Sequence, residues 1–261
     1  MSGLSSVFAT CRAERRAALI GYLPAGFPSV EGSKDVLRTM VSAGCDIVEV
    51  GLPYSDPVMD GPTIQRASEE ALRGGFRVRD LFGVVESVAA AGGRAVVMTY
   101  WNPVLRYGVD AFARDLAAAG GLGLITPDLV PDEASEWMAA SEAHGLDRIF
   151  LVAPSSTEER IDLTARSSSG FLYATSVMGV TGARDVVSSA APALVKRVRE
   201  HTSMPVAVGL GVRSGAQAAE LASFADGVIV GSAFVSAVAE NRVAELTAEL
   251  AEGVRQVPAP A

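Results

Sequence analysis

Residues 46–65, DIVEVGLPYSDPVMDGPTIQ, read as a short buried strand that runs into a turn-rich loop. Ile47, Val48, Val50 and Leu52 make the first part apolar, and Pro53, Pro57, Gly61 and Pro62 then break regular structure. Glu49 sits inside the apolar part. An ionisable side chain there is costly unless it is paired or used. Side chains alternate along a strand, so with Val48 and Val50 turned to one layer Glu49 faces the other. Asp60 follows eleven residues later, in the loop. A second carboxylate carried by that loop to the strand end supplies the parts of a general acid/base pair.

The same kind of run recurs along the chain. Strands are expected at 17–23, 46–52, 94–100, 122–126, 148–153, 171–176, 205–209 and 227–230, eight in all. Several, such as RIFLVA at 148–153, are nearly continuous apolar runs, which suits parallel strands covered on both faces. Helical stripes lie between them. Val36, Leu37, Met40 and Val41 share a face, as do Ala239, Val243, Leu246 and Leu250. Gly44, Gly92 and Gly145 stand where helices end. Alternating β and α elements imply a parallel sheet, and eight units imply closure into a (β/α)8 TIM barrel. An open doubly wound sheet is the runner-up, but its Gly-rich first turn is missing. Leu4, Val7 and Phe8 suit an extra N-terminal helix under the barrel. The chain reads as a single domain over 1–261, with 253–261 a disordered tail whose end, QVPAPA, is rich in Pro and Ala.

Composition narrows the function. The 261 residues match one barrel of roughly 250. A formal charge of −8 argues against nucleic acid or an anionic membrane as partner, but a local anion site remains open. Cys11 and Cys45 are too few for a disulfide framework or a metal set. With neither a signal-peptide pattern nor an apolar run able to span a bilayer, the chain reads as cytoplasmic.

In such barrels the site lies at the C-terminal ends of the strands. That rule gathers Tyr22, Glu49, Asp60, Tyr100, Asn102, Asp128, Tyr173 and Thr181 at the top. His144 and His201 end helices just before strands and fall at the bottom, away from any chemistry. Glu49, ringed by apolar side chains, is expected to hold its proton more tightly than usual; the competing reading is a buried Glu tied up by hydrogen bonds or an ion pair. For Asp60, and for Asp56 in Ser-Asp-Pro, the competing reading is simple turn formation. Late in the chain, Gly179–Gly182, Gly209–Gly211 and Gly231–Ser232 follow the last three strands. Glycine-rich loops there, with a helix starting near Ala233, suit a phosphate group held by backbone amides and the Ser232 hydroxyl. Tyr22, Tyr100, Leu151, Tyr173 and Leu210 form the wall for a flat, partly apolar ligand, with core packing the alternative for the two leucines.

These features together resemble the tryptophan synthase α chain family. The run 49–65 is similar to the family signature. GYLPAGFP (21–28), MTYWNP (98–103), PDL (127–129), GVTGAR (179–184) and GLGV (209–212) follow in the family's order and spacing. The resemblance implies a lyase that cleaves indole-3-glycerol phosphate to indole and glyceraldehyde 3-phosphate. It implies Glu49 as the acid/base, Asp60 as the partner of the indole N–H, and Tyr173 beside Glu49. Thr181, Gly182, Gly211, Gly231 and Ser232 would lie along the phosphate side, and Tyr22, Tyr100, Leu151 and Leu210 would enclose the indole. No metal or organic cofactor is implied. A β chain carrying pyridoxal phosphate would be the partner, in an α2β2 tetramer, contacted by the loops 53–62 and 179–185.

The chain departs from the family's usual residues at Phe27, where an aspartate is common, and at Leu210, where Phe is common. The stretch 127–131 is one residue longer than the commonest form. None of these touches the carboxylates or the phosphate glycines. Two other functions share the features: a phosphosugar isomerase on the same fold, and a catalytically weak subunit that serves as an allosteric partner. The isomerase is disfavoured by the end of the first strand, Tyr22-Leu23-Pro24, which lacks a carboxylate.

Overall fold

A computed structural model describes residues 3–175, 190–209 and 211–256. Among these, nine strands run parallel: β1 Ala18–Pro24, β2 Ile47–Gly51, β3 Ala95–Met98, β4 Gly123–Ile125, β5 Asp147–Ile149, β6 Leu151–Val152, β7 Leu172–Thr175, β8 Val206–Gly209 and β9 Gly227–Val230. Their order is β5-β4-β3-β2-β1-β9-β8-β7-β6. The two edge strands of that order are halves of one segment broken at Phe150. The first half pairs with β4 and the second with β7. Tyr173 N donates to the Phe150 carbonyl at 3.2 Å. The sheet therefore closes through the segment 147–152, and the expected single fifth strand is two because it changes partner midway.

Strand parity sorts the residues into two layers. Leu19, Val48, Val50, Val97, Leu124, Val208 and Val230 are buried against the surrounding helices. Ile20, Ile47, Val96, Ile125, Ile149, Ala207 and Ile229 form a separate cluster inside the barrel. In-register pairs such as Ile20 with Ile47 and with Ile229 stack that inner cluster into layers. Glu49 has the parity of Ile47 and so belongs to the inner layer.

The helix Gly3–Ala13 closes the bottom. Leu4, Phe8 and Cys11 enter the inner cluster, and the rings of Phe8 and Phe171 lie 5.5 Å apart. Arg16 holds the lower ends of β1 and β2 together. Its guanidinium donates to both carboxylate oxygens of Asp46 at 2.8 Å, and Asp46 Oδ2 also accepts from Leu19 N.

The helices follow the expected periodicity. In Val30–Ala43, Leu37 and Met40 are buried and Ser29 caps the start by accepting from Gly32 N. Gly145 ends Ser135–His144 in the left-handed region, at φ 68°. One expected stripe is corrected. Ala239 is the exposed last residue of the helix Ser232–Ala239, and a new helix begins at Val243. Asn241, with φ 55°, turns the chain between them. The expected tail is corrected as well. The helix Val243–Gln256 carries through 253–256 with Gly253 and Val254 buried, because Gly253 packs directly on the Gly215 backbone; 257–261 lie outside the described residues. Among the described residues no helix is long and apolar enough to cross a membrane.

Candidate active site

Glu49 is the middle residue of β2 and is only 1% exposed. Its in-register neighbours are Tyr22 on β1 and Val96 on β3. Among the described residues its Oε2 has no hydrogen-bond partner. Burial without compensation disfavours the ionised form, and the nearby charge of Asp60 adds to that. Together they push the Glu49 carboxyl up to about 8. The alternative of a glutamate tied up by an ion pair does not hold among these residues.

Asp60 reaches the same space from the loop after β2. Its Oδ1 accepts from the Tyr100 hydroxyl at 3.0 Å, and that hydroxyl accepts in turn from Met59 N at 3.0 Å. The Asp60 carbonyl accepts from the Gln65 side chain at 2.7 Å. Burial raises the Asp60 carboxyl and the Tyr100 hydrogen bond opposes the rise. So Asp60 does more than turn the chain: its side chain faces inward, to an aromatic partner on another loop.

Three phenols surround the two acids. Tyr22 is held well above the ordinary tyrosine range by burial first, then by the charges of Asp60 and Glu49. Tyr173 is held there by burial and then Glu49, and Tyr100 is raised by burial and then Asp60. All three phenols keep their protons at neutral pH. Leu151 on β6 is the in-register partner of Tyr173 and packs on the inner cluster.

Two glycines make room for these rings. A Cβ at Gly51 would stand 2.4 Å from the Tyr22 hydroxyl, and one at Gly209 would stand 2.4 Å from the Tyr173 hydroxyl. Each glycine lies two residues beyond its tyrosine's in-register partner, Glu49 for Tyr22 and Ala207 for Tyr173. Sequence reading missed Gly51 altogether and took Gly209 only as a phosphate-loop residue. The signal was a glycine of inward parity diagonal to a tyrosine.

After β9, which lies between β8 and β1, Gly231 caps the helix Ser232–Ala239. Phe234 N makes the first bond back to the Gly231 carbonyl, so the amides of Ser232 and Ala233 lead the helix as its N-terminal donors. A Cβ at Gly231 would meet the Tyr22 ring at an ordinary 3.5 Å. Gly211 has φ 64°, a conformation that favours glycine. Thr181, Gly182 and Leu210 lie outside the described residues.

Other polar residues at the top shape the loops. Asp128 accepts from Trp101 N at 2.8 Å, and Asn102 donates to the Tyr54 hydroxyl at 3.1 Å. Tyr54, which the sequence reading passed over, lies with its ring 5.4 Å from that of Tyr100. His144 and His201 pair at 2.9 and 2.8 Å with Asp110 and Glu158, each in the first turn of a neighbouring helix, and neither contacts Glu49 or Asp60. Among the described residues no cluster of His, Cys, Asp and Glu is arranged to hold a metal.

Comparison with known proteins assigns a family to this arrangement. A family model described as tryptophan synthase alpha chain matches residues 8–257. The tryptophan synthase alpha chain of Nocardia farcinica is 70% identical over 256 residues, covering 97% of this chain and 96% of that one. That of Mycobacterium tuberculosis is 68% identical, covering 97% and 95%. A solved structure of M. tuberculosis tryptophan synthase superposes with a TM-score of 0.95 at 68% identity, covering 97% of this chain and 98% of that one. The alpha subunit from Legionella pneumophila keeps a TM-score of 0.87 at 31% identity, with 98% of each chain covered. This chain belongs to the tryptophan synthase alpha chain family.

Proposed function

We infer that this chain is the α subunit of a tryptophan synthase, a lyase that cleaves indole-3-glycerol phosphate to indole and glyceraldehyde 3-phosphate in tryptophan biosynthesis. The observation that carries the chemistry is the pairing of Glu49, buried and holding its proton to about pH 8, with Asp60, whose carboxylate is stabilised by Tyr100.

In this reading Glu49 gives its proton to indole C3. Positive charge then spreads over the ring to the N–H, which Asp60 holds. The Glu49 carboxylate takes the proton from the hydroxyl on the carbon bonded to C3. That oxygen's electrons form the carbonyl as the carbon–carbon bond breaks, and the bond's electrons restore the neutral indole. The proton count balances, and Glu49 ends as it began. A buried acid raised towards neutrality suits both transfers.

Tyr22, Tyr100, Tyr173 and Leu151, with Leu210, enclose the ring. Gly211, Gly231 and Ser232, with Thr181 and Gly182, lie along the phosphate, which sits at the positive end of the helix Ser232–Ala239. No metal or organic cofactor takes part in the α reaction.

The partner is a tryptophan synthase β chain, which receives the indole in an α2β2 assembly. Its docking face is the top of the barrel. The exposed apolar side chains Val58, Leu105 and Val130 follow β2, β3 and β4 at that end. A cavity of about 310 Å³ opens there between Tyr54, Asn102, Arg106 and Tyr107. We place the enzyme in the cytoplasm.

The test is release of indole from indole-3-glycerol phosphate by the purified chain, alone and with the β chain. Indole and glyceraldehyde 3-phosphate in equal amounts, faster with the partner, support the lyase subunit. Release from neither preparation removes it.

A further inference from the structure

Tyr54 takes no part in the proton transfers, yet it packs on the residue that holds one of the two acids. The loop after β2 leaves its strand on fixed backbone. Leu52 N donates to the Met98 carbonyl of β3 at 2.9 Å, and Pro53 locks the next φ. Tyr54 stands at that stiff end. Its ring lies 5.4 Å from the Tyr100 ring, tilted by 37°. Its hydroxyl accepts from Asn102 Nδ2 at 3.1 Å, two residues past Tyr100. Tyr54 also lines the cavity it shares with Asn102, Arg106 and Tyr107, so packing does not enclose it there.

The far end of the same loop returns to the same tyrosine. The Tyr100 hydroxyl accepts from Met59 N and donates to Asp60 Oδ1. Between the two ends Ser55, Asp56 and Val58 are exposed. Tyr100 is thus gripped on its ring by the start of the loop and on its hydroxyl by the end. That hydroxyl is the tip of a side chain that turns about two torsions, so a small turn of the ring carries it away from both partners. Among the described residues Tyr100 is the side-chain donor to Asp60. The other titratable groups facing Asp60 are Glu49 on β2 and Tyr22 on β1.

We propose that Tyr54 is a positioning residue for the cleavage: stacked on Tyr100 and held there by Asn102, it keeps the Tyr100 hydroxyl on Asp60 and so sets the carboxylate that meets the indole N–H. This deepens the lyase reading and rests on it. The anchored end of the loop places Tyr54, Tyr54 places the Tyr100 ring, and that ring places the catalytic end of the loop. An aromatic pair contributes beyond its buried area, and here one member carries the hydrogen bond to the acid. Positive charge on the indole develops only in the transition state, so a misplaced Asp60 costs kcat more than KM.

Tyr54→Leu in the full chain removes the stack and keeps an apolar side chain. Kinetics are taken at saturating β chain, so that a weaker complex does not enter. kcat for indole-3-glycerol phosphate is expected to fall about fivefold, the size of one aromatic pair, with KM within about twofold. In a Tyr100→Phe background the same substitution is expected to change kcat by less than about twofold, because the hydroxyl that it positions is gone. Carbon-13 NMR of labelled Asp60, assigned with Asp60→Asn, reads the contact without turnover. The Tyr100 bond opposes the rise of the Asp60 carboxyl, so that titration is expected to move up in Tyr54→Leu, in the direction of Tyr100→Phe. Tyr54→Phe keeps the stack and is expected to recover most of both effects.

An Asp60 titration that moves with Tyr54→Leu, and does not move further in the Tyr100→Phe background, supports the proposal even if cleavage is never seen, in which case it is the lyase reading that fails. Unchanged kcat and titration in a folded Tyr54→Leu overturn it. Additive losses in the double variant overturn it likewise, since Tyr54 then acts by a route that bypasses Tyr100. Weaker β binding with the Asp60 titration unmoved also overturns it and leaves Tyr54 as a docking residue. If Tyr54→Leu does not fold, Asn102→Ala frees the Tyr54 hydroxyl and carries the test. It is expected to shift Asp60 the same way by a smaller amount, and no shift there counts against the proposal.

Discussion

The Tyr100 hydroxyl donates to Asp60 Oδ1 at 3.0 Å while accepting from the Met59 amide at 3.0 Å, so one phenol fixes both the carboxylate and the loop that carries it. Tyr100 stands just past β3 and Asp60 just past β2, so the contact ties two neighbouring barrel loops across the mouth of the site. Removing that hydroxyl frees the carboxylate and leaves the ring in place. Tyr100→Phe is therefore expected to lower kcat/KM for indole-3-glycerol phosphate about tenfold, at a cost in stability near 1 kcal/mol. Steady-state kinetics with thermal melts check this. Unchanged kinetics mean that Asp60 is oriented by something else.

Glu49 links the site to stability. Its carboxyl is raised from 4.5 to about 8, by burial first and Asp60 second. A group raised on folding contributes its full stabilisation below its unfolded value and loses it as pH climbs to the folded one. The wild-type chain should thus lose stability between about pH 4.5 and pH 8, on the order of a few kcal/mol from this group. Glutamine keeps the shape and does not titrate. Melts of wild type and Glu49→Gln at pH 5 and pH 8.5 should show a gap favouring the variant that widens with pH. Parallel melts at both values contradict the burial account.

Gly209 and Tyr173 form a steric pair. A methyl at 209 would stand 2.4 Å from the Tyr173 hydroxyl and 3.0 Å from its nearest ring carbons. Gly209→Ala is expected to displace the ring and cut turnover at least tenfold. Adding Tyr173→Phe removes the closest atom and should recover much of the loss. A double variant no better than Gly209→Ala would place the damage in the β8 backbone, not at the ring.

At the other end of the barrel, Phe8 is buried in the inner cluster against Phe171. Phe8→Ala is expected to cost about 3–5 kcal/mol of stability. Turnover at low temperature should barely change, because the plug lies beneath the inner layers and the chemistry above them. Denaturant titration with an activity assay separates the two. A large activity loss without a stability loss would show that the bottom layer reaches the site.

Much of the barrel was legible in the sequence. Apolar runs such as 18–24 and 47–51 report strands buried on both faces, and alternation alone turned Glu49 inward. The break at Phe150 was not legible. It arises from closure, where a strand exchanges one neighbour for another, and no local residue marks it. Glu49 stood out because it breaks the apolar pattern around it; Asp60, an ordinary turn residue before Gly61, drew attention only through its place after the strand that carries Glu49. The Tyr100–Asp60 bond and the Tyr54 ring against Tyr100 did not stand out, since each joins loops from different strands and depends on how closely these loops approach. Gly51 was hidden for a related reason. Its role is to be absent where Tyr22 lies, and a missing side chain has meaning only once the register is known.

The central claim is that Glu49 moves the proton in a carbon–carbon cleavage. The direct measurement is single-turnover indole release from indole-3-glycerol phosphate by the αβ complex, comparing wild type with a folded Glu49→Gln. Expected is a fall in the cleavage rate of about a thousandfold, within the usual range for losing a general acid/base, with substrate still bound. Cleavage by Glu49→Gln within a few-fold of wild type would contradict it and move the proton transfer to another group.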